Sequence, residues 1–273
     1  MKQLTAQDKE LSDRLFSDFY YRNEHLGWFS ALDLPARGLG KTCLLEHDGM
    51  QFLAAFQEIA PRKQWLHSFF QEGDTEPFSF REFPEYRELF SRQTIYSISS
   101  HIWYTRLLKF NGFTQCDAVI QMETELLHLP EPNTSGIEIK PFELDLTEAL
   151  LESCEYAFPP IWRLAPAEFE YAISQSPVRM AAFLNGAPAA YLTADITDGN
   201  CHILRLAVSP EHQGEGIATA LLTKLFWDCV RQDGIDTFSV NTNQKNAPAV
   251  SLYEKFGLEI RGKRFPVFTK QFI

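Results

Sequence analysis

The sequence lacks any hydrophobic run that reaches the ~18 apolar residues needed for a transmembrane helix. Its first residues, MKQLTAQDKELSDRLF, are polar and amphipathic and contain no signal-peptide core. With 45% hydrophobic and 22% charged residues, the composition is typical of a globular protein in water. We therefore expect a cytoplasmic protein that does not associate with a membrane.

Cysteine is scarce, and basic residues are outnumbered by acidic ones. The five cysteines are scattered, and none forms the C-x-x-C spacing of a metal or redox site. We interpret them as small buried apolar residues and expect no metal. The net charge of −11 argues against a nucleic-acid partner, because such binding depends mainly on Lys and Arg neutralising phosphates. The same charge would attract an amine substrate.

The length of 273 residues is enough for two domains of the usual ~100–150 residues. The stretch most typical of a linker is LPEPNTSG at 129–136, which carries two prolines, Asn, Ser and Gly. It divides the chain into residues 1–128 and residues 137–273. Both a monomer and a homodimer are compatible with the sequence.

The C-terminal half alternates the patterns of strands and helices. Asn185-Gly186 lies between two apolar runs and predicts a hairpin, because Asn-Gly suits a turn with positive φ. The other predicted elements are a strand at 137–142, a helix at 145–157, a strand at 201–209, a helix after Gly216, a strand at 235–241, a short helix capped by Asn246 and a closing hairpin near Gly262. This order predicts a mixed α/β domain.

The N-terminal half repeats three landmarks of the C-terminal half. Asp48-Gly49 corresponds to Asn185-Gly186, and KFNG, ending at Gly112, corresponds to KFG, ending at Gly257. IYSIS at 95–99 corresponds to FSVNT at 238–242. Because the landmarks keep their order and nearly their spacing, we predict a tandem duplication.

A glycine-rich turn, VSPEHQGEGIAT at 208–219, follows a predicted strand and opens a predicted helix. The first turn of a helix has unpaired N–H groups and the positive end of the macrodipole, so it favours a phosphate. Glycine lets the phosphate approach the backbone closely. A P-loop would need a Lys after the second glycine, and a Rossmann loop would need a third glycine where Thr219 stands. Both of these nucleotide sites are therefore disfavoured.

Residues 213–218, QGEGIA, match the pattern Q/R-x-x-G-x-G/A, and residues 246–262 read NAPAVSLYEKFGLEIRG. These two segments resemble, in the correct order, the two signatures of the Gcn5-related N-acetyltransferase (GNAT) superfamily. The resemblance covers residues 137–273. It extends to residues 1–128 as a degenerate copy without the first signature, which implies two tandem GNAT-like domains of which the first is non-catalytic.

The resemblance implies a role for each residue of the two signatures. Tyr253 would be the general acid that protonates the departing thiolate. Acetyl-CoA would contact the following residues: Leu206, Ala207, Val208, Gln213, Gly214, Glu215, Gly216, Ile217, Ala218, Thr219 and Asn246. Tyr253 could instead be an ordinary core residue, and Asn246 could be only an N-cap. In the N-terminal copy their places fall on Leu108 and His101.

The family places its acceptor-binding segment where this chain has YAFPPIWRLAPAEFEY, residues 156–171. The residues that could line the acceptor pocket are Tyr156, Phe158, Trp162 and Arg163, although core packing would explain them equally well. His202 and Arg205 are three apart on a strand, so we expect them on opposite faces, with one of them at the acceptor cleft. The family often uses a Glu on this strand, or a water chain, as the general base, but residues 201–208 contain no Glu.

The resemblance therefore implies an acetyl-CoA-dependent N-acetyltransferase in which a primary amine attacks the thioester directly. The acceptor would be a small molecule or a peptide N-terminus. A non-catalytic CoA-binding or sensing module is the alternative, and the presence of Tyr253 argues against it. We expect the N-terminal copy to have lost acetyl-CoA binding; it would support the catalytic half or contribute to the acceptor pocket.

Overall fold

The structure is a computed structural model and describes residues 2–5, 21–24, 33–36, 38–71, 76–130, 136–231 and 234–273. Its contacts divide the chain into two units. The first unit comprises residues 1–118 and 265–273, and the second comprises residues 119–264. The cut at 129–136 stays a prediction about the two tandem domains. Residues 131–135 of that stretch lie outside the described part.

The first unit is a mixed α/β structure. Its elements are β1 (Lys2–Leu4), β2 (Tyr21–Glu24), α1 (Asp33–Ala36), β3 (Gly40–His47), β4 (Met50–Ala60), β5 (Lys63–Gln71), α2 (Tyr86–Phe90), β6 (Thr94–Ile98), α3 (Ile102–Phe110) and the start of β7 (Thr114–Thr124). Its strand order is β1-β3-β4-β5-β6, followed by the C-terminal strand β13 (Arg264–Gln271). β5 and β6 are parallel, whereas β1 with β3, β3 with β4, β4 with β5, and β6 with β13 are antiparallel.

The second unit contains the later residues of β7 and a mixed sheet with helices on both faces. Its elements are β8 (Ile137–Pro141), α4 (Thr147–Cys154), α5 (Pro166–Gln175), β9 (Val178–Leu184), β10 (Ala187–Thr197), β11 (Asn200–Val208), α6 (Ile217–Val230), β12 (Thr237–Asn243) and α7 (Ala247–Lys255). The strand order is β7-β12-β11-β10-β9-β8, in which β11 and β12 are the parallel pair. The predicted mixed α/β class is confirmed.

The helix predicted after Gly216 is α6, and its apolar residues face the sheet. Six side chains at helical spacing are 1% exposed or less: Ile217, Leu221, Leu222, Leu225, Phe226 and Cys229. Together with α7 they cover one face of the sheet, while α4 and α5 cover the other. Val230, which we expected on the same face, is half exposed at the last residue of the helix. Four cysteines are buried and Cys116 is half-buried.

The closing hairpin predicted near Gly262 is wrong. β13 pairs with β6 in the first unit, whereas Glu259 exchanges two backbone hydrogen bonds of 2.9 and 3.0 Å with Glu123 of β7. A β-carbon on Gly262 would lie 2.5 Å from the Gln121 side chain. Gly262 therefore permits a close approach to β7 rather than a turn.

The tandem duplication is confirmed by matching geometry in the two units. Both predicted hairpin turns have two successive residues with positive φ, at Asp48-Gly49 and Asn185-Gly186. α3 and α7 are both nine residues long, and their N-caps, His101 and Asn246, are 145 residues apart. No helix among the described residues is long and apolar enough to cross a bilayer.

Candidate functional site

The N-terminus of α6 offers backbone donors to open space. Its N-cap is Gly216, at φ +83°, and among the described residues no side chain caps this end of the helix. Gly214 has φ +86°, and a β-carbon on either glycine would meet no atom within 4 Å. The first-turn amides and the helix dipole therefore face an accessible region, which fits a pyrophosphate. Both glycines are in the left-handed region, where other residues are strained.

The loop before α6 is tied to the end of β11. Gln213 donates from Nε2 to the carbonyl of Val208 at 3.4 Å, and the Ser209 amide donates to the carbonyl of Ala189 at 2.8 Å. Glu215 is exposed and lies 3.5 Å from His212 Nδ1. The Gln213 side chain thus fixes the loop against the strand, a contact that the sequence did not indicate.

The end of β11 has an open edge. Within the described part of the second unit, β11 pairs with β12 from Asn200 to Ile203 and no further. Thr193 of β10 pairs with Arg205 but Ala194 pairs with Ile203, so Leu204 is the extra residue of a β-bulge. A bulge bends its strand, and beyond it β11 pairs with β10 alone. Apart from the Val208 carbonyl, which accepts from Gln213, the backbone groups at Arg205–Val208 that point away from β10 are therefore available to an extended ligand.

Tyr253 and Asn246 are both on α7. Tyr253 is 5% exposed and belongs to the core against which Leu206 and Val208 pack. Burial raises its pKa well above the ordinary value of 10.0, so the phenol keeps its proton at neutral pH. Asn246 is the N-cap, and its Oδ1 accepts from the Ala249 amide at 3.3 Å. The capping interpretation of Asn246 is thus observed.

A buried ion pair joins the segment after α4 to β11. Arg205 donates to both oxygens of Glu155, from Nη2 at 2.7 Å and from Nε at 3.1 Å. The Tyr191 hydroxyl donates to Glu155 at 2.7 Å, and the Leu164 amide does so at 2.9 Å. Glu155 is 4% exposed. Buried charges need such partners, and this cluster fixes the segment to the sheet.

The four predicted acceptor residues surround this cluster. The Arg205 guanidinium lies 3.7 Å from the centroid of the Phe158 ring and donates to the carbonyl of Trp162 at 2.9 Å. The Arg163 guanidinium lies 4.7 Å from the centroid of the Tyr156 ring. Tyr156 is 67% exposed. The structure therefore brings the four together, with Tyr156 facing solvent; the sequence did not single out Glu155 or Tyr191, which hold them.

His202 and Arg205 lie on the same face, so the expectation of opposite faces is wrong. Ile203 packs toward α6, whereas Arg205 contacts the cluster on the α4 side. The bulge at Leu204 inserts one residue and restores His202 and Arg205 to one side. Simple alternation fails wherever a bulge interrupts a strand.

A hydrogen-bond network sets the tautomer of His202. Ser239 donates its one proton to Asn200 Oδ1 at 3.0 Å, so in its 2.8 Å contact with His202 Nδ1 it must accept. Nε2 then carries the lone pair, and it lies 3.4 Å from the Asn241 Nδ2 donor. Burial lowers the pKa of His202 from 6.5, against a smaller opposing effect of Asp195. His202 is therefore neutral at neutral pH, with a basic nitrogen.

Comparisons with known proteins agree with this arrangement. Residues 144–258 match the Acetyltransferase (GNAT) family. Over 85 residues the chain is 31% identical to the ribosomal protein bS18-alanine N-acetyltransferase of Escherichia coli strain K12, a match that covers 30% of this chain and 57% of that protein. The chain thus spans a little over half the length of the curated relatives it matches.

Two solved structures have a similar fold. A GCN5-related N-acetyltransferase from Sphaerobacter thermophilus superposes with a TM-score of 0.56 at 17% identity, over 81% of this chain and 76% of that one. A tandem GNAT protein from the clavulanic acid biosynthesis pathway gives a TM-score of 0.59 at 12% identity, over 98% and 97% of the two chains. At these identities the similarity shows the fold alone, and it supports the two-domain arrangement.

Proposed function

We propose that this chain, which matches the GNAT family of acetyltransferases over residues 144–258, transfers an acetyl group from acetyl-CoA to a primary amine. The amine attacks the thioester directly, without a covalent enzyme intermediate. The reaction takes place in the second unit. The observation that supports this most strongly is the open N-terminus of α6 next to the open edge of β11.

The N-terminus of α6 and the open edge of β11 bind two different parts of acetyl-CoA, the pyrophosphate and the pantetheine arm. The amides of residues 214–219 bind the pyrophosphate, because the helix N-terminus favours an anion. The free backbone groups at Leu206–Val208 pair with the pantetheine arm and direct an amide at the thioester oxygen. Such a donor stabilises the negative charge that develops when the amine attacks. Asn246 contacts the cofactor with the part of its side chain that is not used in capping.

Tyr253 serves as the general acid. The thiolate that leaves needs a proton, and a buried phenol with a raised pKa holds one throughout the neutral range. The packing of Leu206 and Val208 in the same core as Tyr253 supports a position near the thioester.

We assign the general base to His202. Its Nε2 has the lone pair, and burial lowers its pKa, so it is unprotonated at neutral pH and can accept the proton that the amine loses as it attacks the thioester. It lies on the face of β11 that also carries Arg205 and the acceptor segment. The sequence alone did not indicate this base, because residues 201–208 contain no Glu.

The acceptor binds against the segment held by Arg205. The exposed ring of Tyr156 and the aromatic side chains of Phe158 and Trp162 offer a surface for an amine-bearing group. An ammonium is attracted to aromatic faces and to a chain of net charge −11. The acceptor is a small molecule or a peptide N-terminus. The E. coli relative, which is named for ribosomal protein bS18, supports testing a peptide first.

The competing function is a CoA-binding or sensing module that does not catalyse transfer. It would keep the N-terminus of α6 and the open edge of β11 but would have no use for a buried phenol and a neutral imidazole beside them. The experiment is a panel of amines, including peptides with a free N-terminus, incubated with acetyl-CoA while free thiol is measured. Amine-dependent thiol release supports the enzyme. Binding of acetyl-CoA without release for any amine supports the module.

A further inference from the structure

β5, in the first unit, is paired along both of its edges. One edge pairs with β4 through Phe52–Ala60. The other edge pairs with β6 through Lys63–Trp65. β2 also pairs with β5, from Tyr21 opposite Gln71 to Glu24 opposite Ser68. A strand has two edges, and one edge of Ser68–Gln71 already pairs with β4. β2 must therefore lie on the other edge of β5, the edge that pairs with β6 through Lys63–Trp65 but not beyond.

This edge of β5 corresponds to the open edge of β11. Ala55 pairs with Ser68 but Phe56 pairs with Leu66, so His67 is the extra residue of a bulge. The bulge residue in β11 is Leu204, which lies 137 residues later, the same spacing as between the two hairpin turns. The parallel pairing of β5 with β6 begins at Lys63, and that of β11 with β12 begins at Asn200, again 137 residues later. Ser68–Gln71 therefore correspond to Arg205–Val208.

The two units differ in what lies beside this edge. In the second unit, β11 is followed by the glycine turn and the 14 residues of α6. In the first unit, the helix between β5 and β6 is α2, which has five residues. Its N-cap is Glu85, a side chain that would repel a phosphate. The first unit thus has the same bulge as β11, and its parallel pairing of β5 with β6 ends at the corresponding place. It has no counterpart of the glycine turn and long helix α6 among its described residues.

We propose that β2 occupies, in the first unit, the edge that corresponds to the pantetheine edge of β11, so that this unit holds a segment of its own chain in place of acetyl-CoA. The proposal rests on the proposed function, because that function assigns the edge of β11 to pantetheine. It gives a structural reason for one cofactor site per chain that is separate from the lost sequence signature.

A peptide strand can form the same backbone hydrogen bonds with a strand edge as the pantetheine arm. The pantetheine arm carries two amides, whose N–H and C=O groups can pair with a strand edge. A peptide strand carries the same groups at strand spacing, and adding a strand to an exposed edge is a common mode of recognition. An edge left without partners would expose N–H and C=O groups to other chains. Once the cofactor is lost from a copy, β2 satisfies the edge that remains.

Hydrogen exchange, resolved to single amides with and without saturating acetyl-CoA, tests the proposal. In the free protein, the amides of Ser68–Gln71 that point away from β4 exchange slowly, and acetyl-CoA leaves their rates unchanged. The amides of Arg205–Val208 that point away from β10 exchange fast and become slow with acetyl-CoA. The second set is the internal control, because it is the same edge without β2.

A variant pair isolates the contribution of β2. Adjacent residues of a strand direct their amides to opposite edges, so Arg22→Pro with Asn23→Pro removes one donor to β5 whichever of the two provides it. Arg22→Ala with Asn23→Ala changes the same side chains and keeps both amides. We expect exchange at Ser68–Gln71 to accelerate at least tenfold in the proline variant and to stay near the wild-type rate in the alanine variant, since losing about 1.4 kcal/mol of protection is a factor of ten.

The outcomes separate the two proposals. Fast exchange at Ser68–Gln71 in the free wild-type protein, or slowing there by acetyl-CoA, overturns the assignment of β2 and leaves the proposed function intact. Equal exchange in the proline and alanine variants also overturns it. If Arg205–Val208 do not respond to acetyl-CoA, the proposed function fails, and the inference fails with it.

Discussion

At the scale of single residues, burial determines the chemistry of Tyr253. The side chain is 5% exposed, and its pKa is raised by burial. A phenol in this state is a poor base and a proton donor that survives to high pH. We therefore expect that ionisation of Tyr253 does not lower the reaction rate below pH 10, because the pKa of the phenol lies above that value.

Replacing Tyr253 with Phe removes the proton donor while keeping the ring in the core. We expect kcat to fall by about 10²–10⁴-fold, the usual contribution of a general acid, with little change in the affinity for acetyl-CoA. The measurement is steady-state kinetics together with calorimetric binding. Tyr104→Phe is the matched control: Tyr104 is another buried phenol, on α3 and bonded to Ser97 at 2.9 Å. A Tyr253→Phe variant with the kcat of the control would show that Tyr253 is only a core residue.

The assignment of His202 as general base predicts how kcat/KM changes with pH on the acidic side. The base must be neutral, so activity is present above the pKa of His202 and is lost as the pH falls through it. Because burial lowers this pKa from 6.5, kcat/KM of the wild type should decline below pH 6.5. His202→Asn keeps a donor that can reach Ser239 but has no basic nitrogen, and its profile should lose this limb along with most of the rate. An unchanged limb in His202→Asn would assign the base to another group.

At the scale of elements, the N-terminus of α6 is the part of the site that most depends on glycine. A side chain on Gly216 would project into the region that we assign to the pyrophosphate. Gly216→Val should weaken acetyl-CoA binding by about 10- to 100-fold, since losing hydrogen bonds to a charged group costs about 1.5–3 kcal/mol. The measurement is the Kd for acetyl-CoA.

Gly186→Val is the control for this experiment. Gly186 also has positive φ, +82°, with no atom within 4 Å of an added β-carbon. It lies in the hairpin turn between β9 and β10 and not at the N-terminus of α6. The two variants bear similar backbone strain, so comparable losses of stability are expected in both. Equal Kd values for acetyl-CoA would place the pyrophosphate elsewhere.

The ion pair between Glu155 and Arg205 fixes the acceptor segment to β11. Removing one partner leaves a buried charge without its counterion, which costs about 3–5 kcal/mol. Glu155→Gln or Arg205→Met alone should therefore lower the free energy of unfolding by about that amount. The double variant should lose clearly less than the sum, because neither charge then remains. Chemical denaturation of the four proteins measures this coupling, and additive losses would contradict it.

Some of these elements were predictable because their signals are local. Asn185-Gly186 specified its turn, the apolar spacing after Gly216 specified α6, and Asn246 specified the start of α7. The bulge at Leu204 has no such signal, so the relation of His202 to Arg205 was wrongly predicted. The role of Glu155 was not predictable, because its partner Arg205 lies 50 residues away.

At the scale of the whole molecule, the chain crosses between its two units at residues 118–119 and again at 264–265. The C-terminal strand β13 pairs with β6, and the end of β7 pairs with β12. No local pattern distinguishes such a strand from one that forms a hairpin with its neighbour, and this explains the mistaken hairpin near Gly262. The duplication itself was predictable, because it preserves the order and spacing of its landmarks.

The duplication also makes the two units an internal comparison. The second unit has the glycine turn, α6 and an open strand edge; the first has α2 and β2 in the corresponding places. We therefore assign a single acetyl-CoA site to the chain, at the N-terminus of α6.

Calorimetric titration of the intact chain with acetyl-CoA tests this claim most directly. We predict a stoichiometry of one acetyl-CoA per chain. A stoichiometry of two would contradict the occupation of the first unit by β2, and the absence of binding would contradict the function proposed for the second.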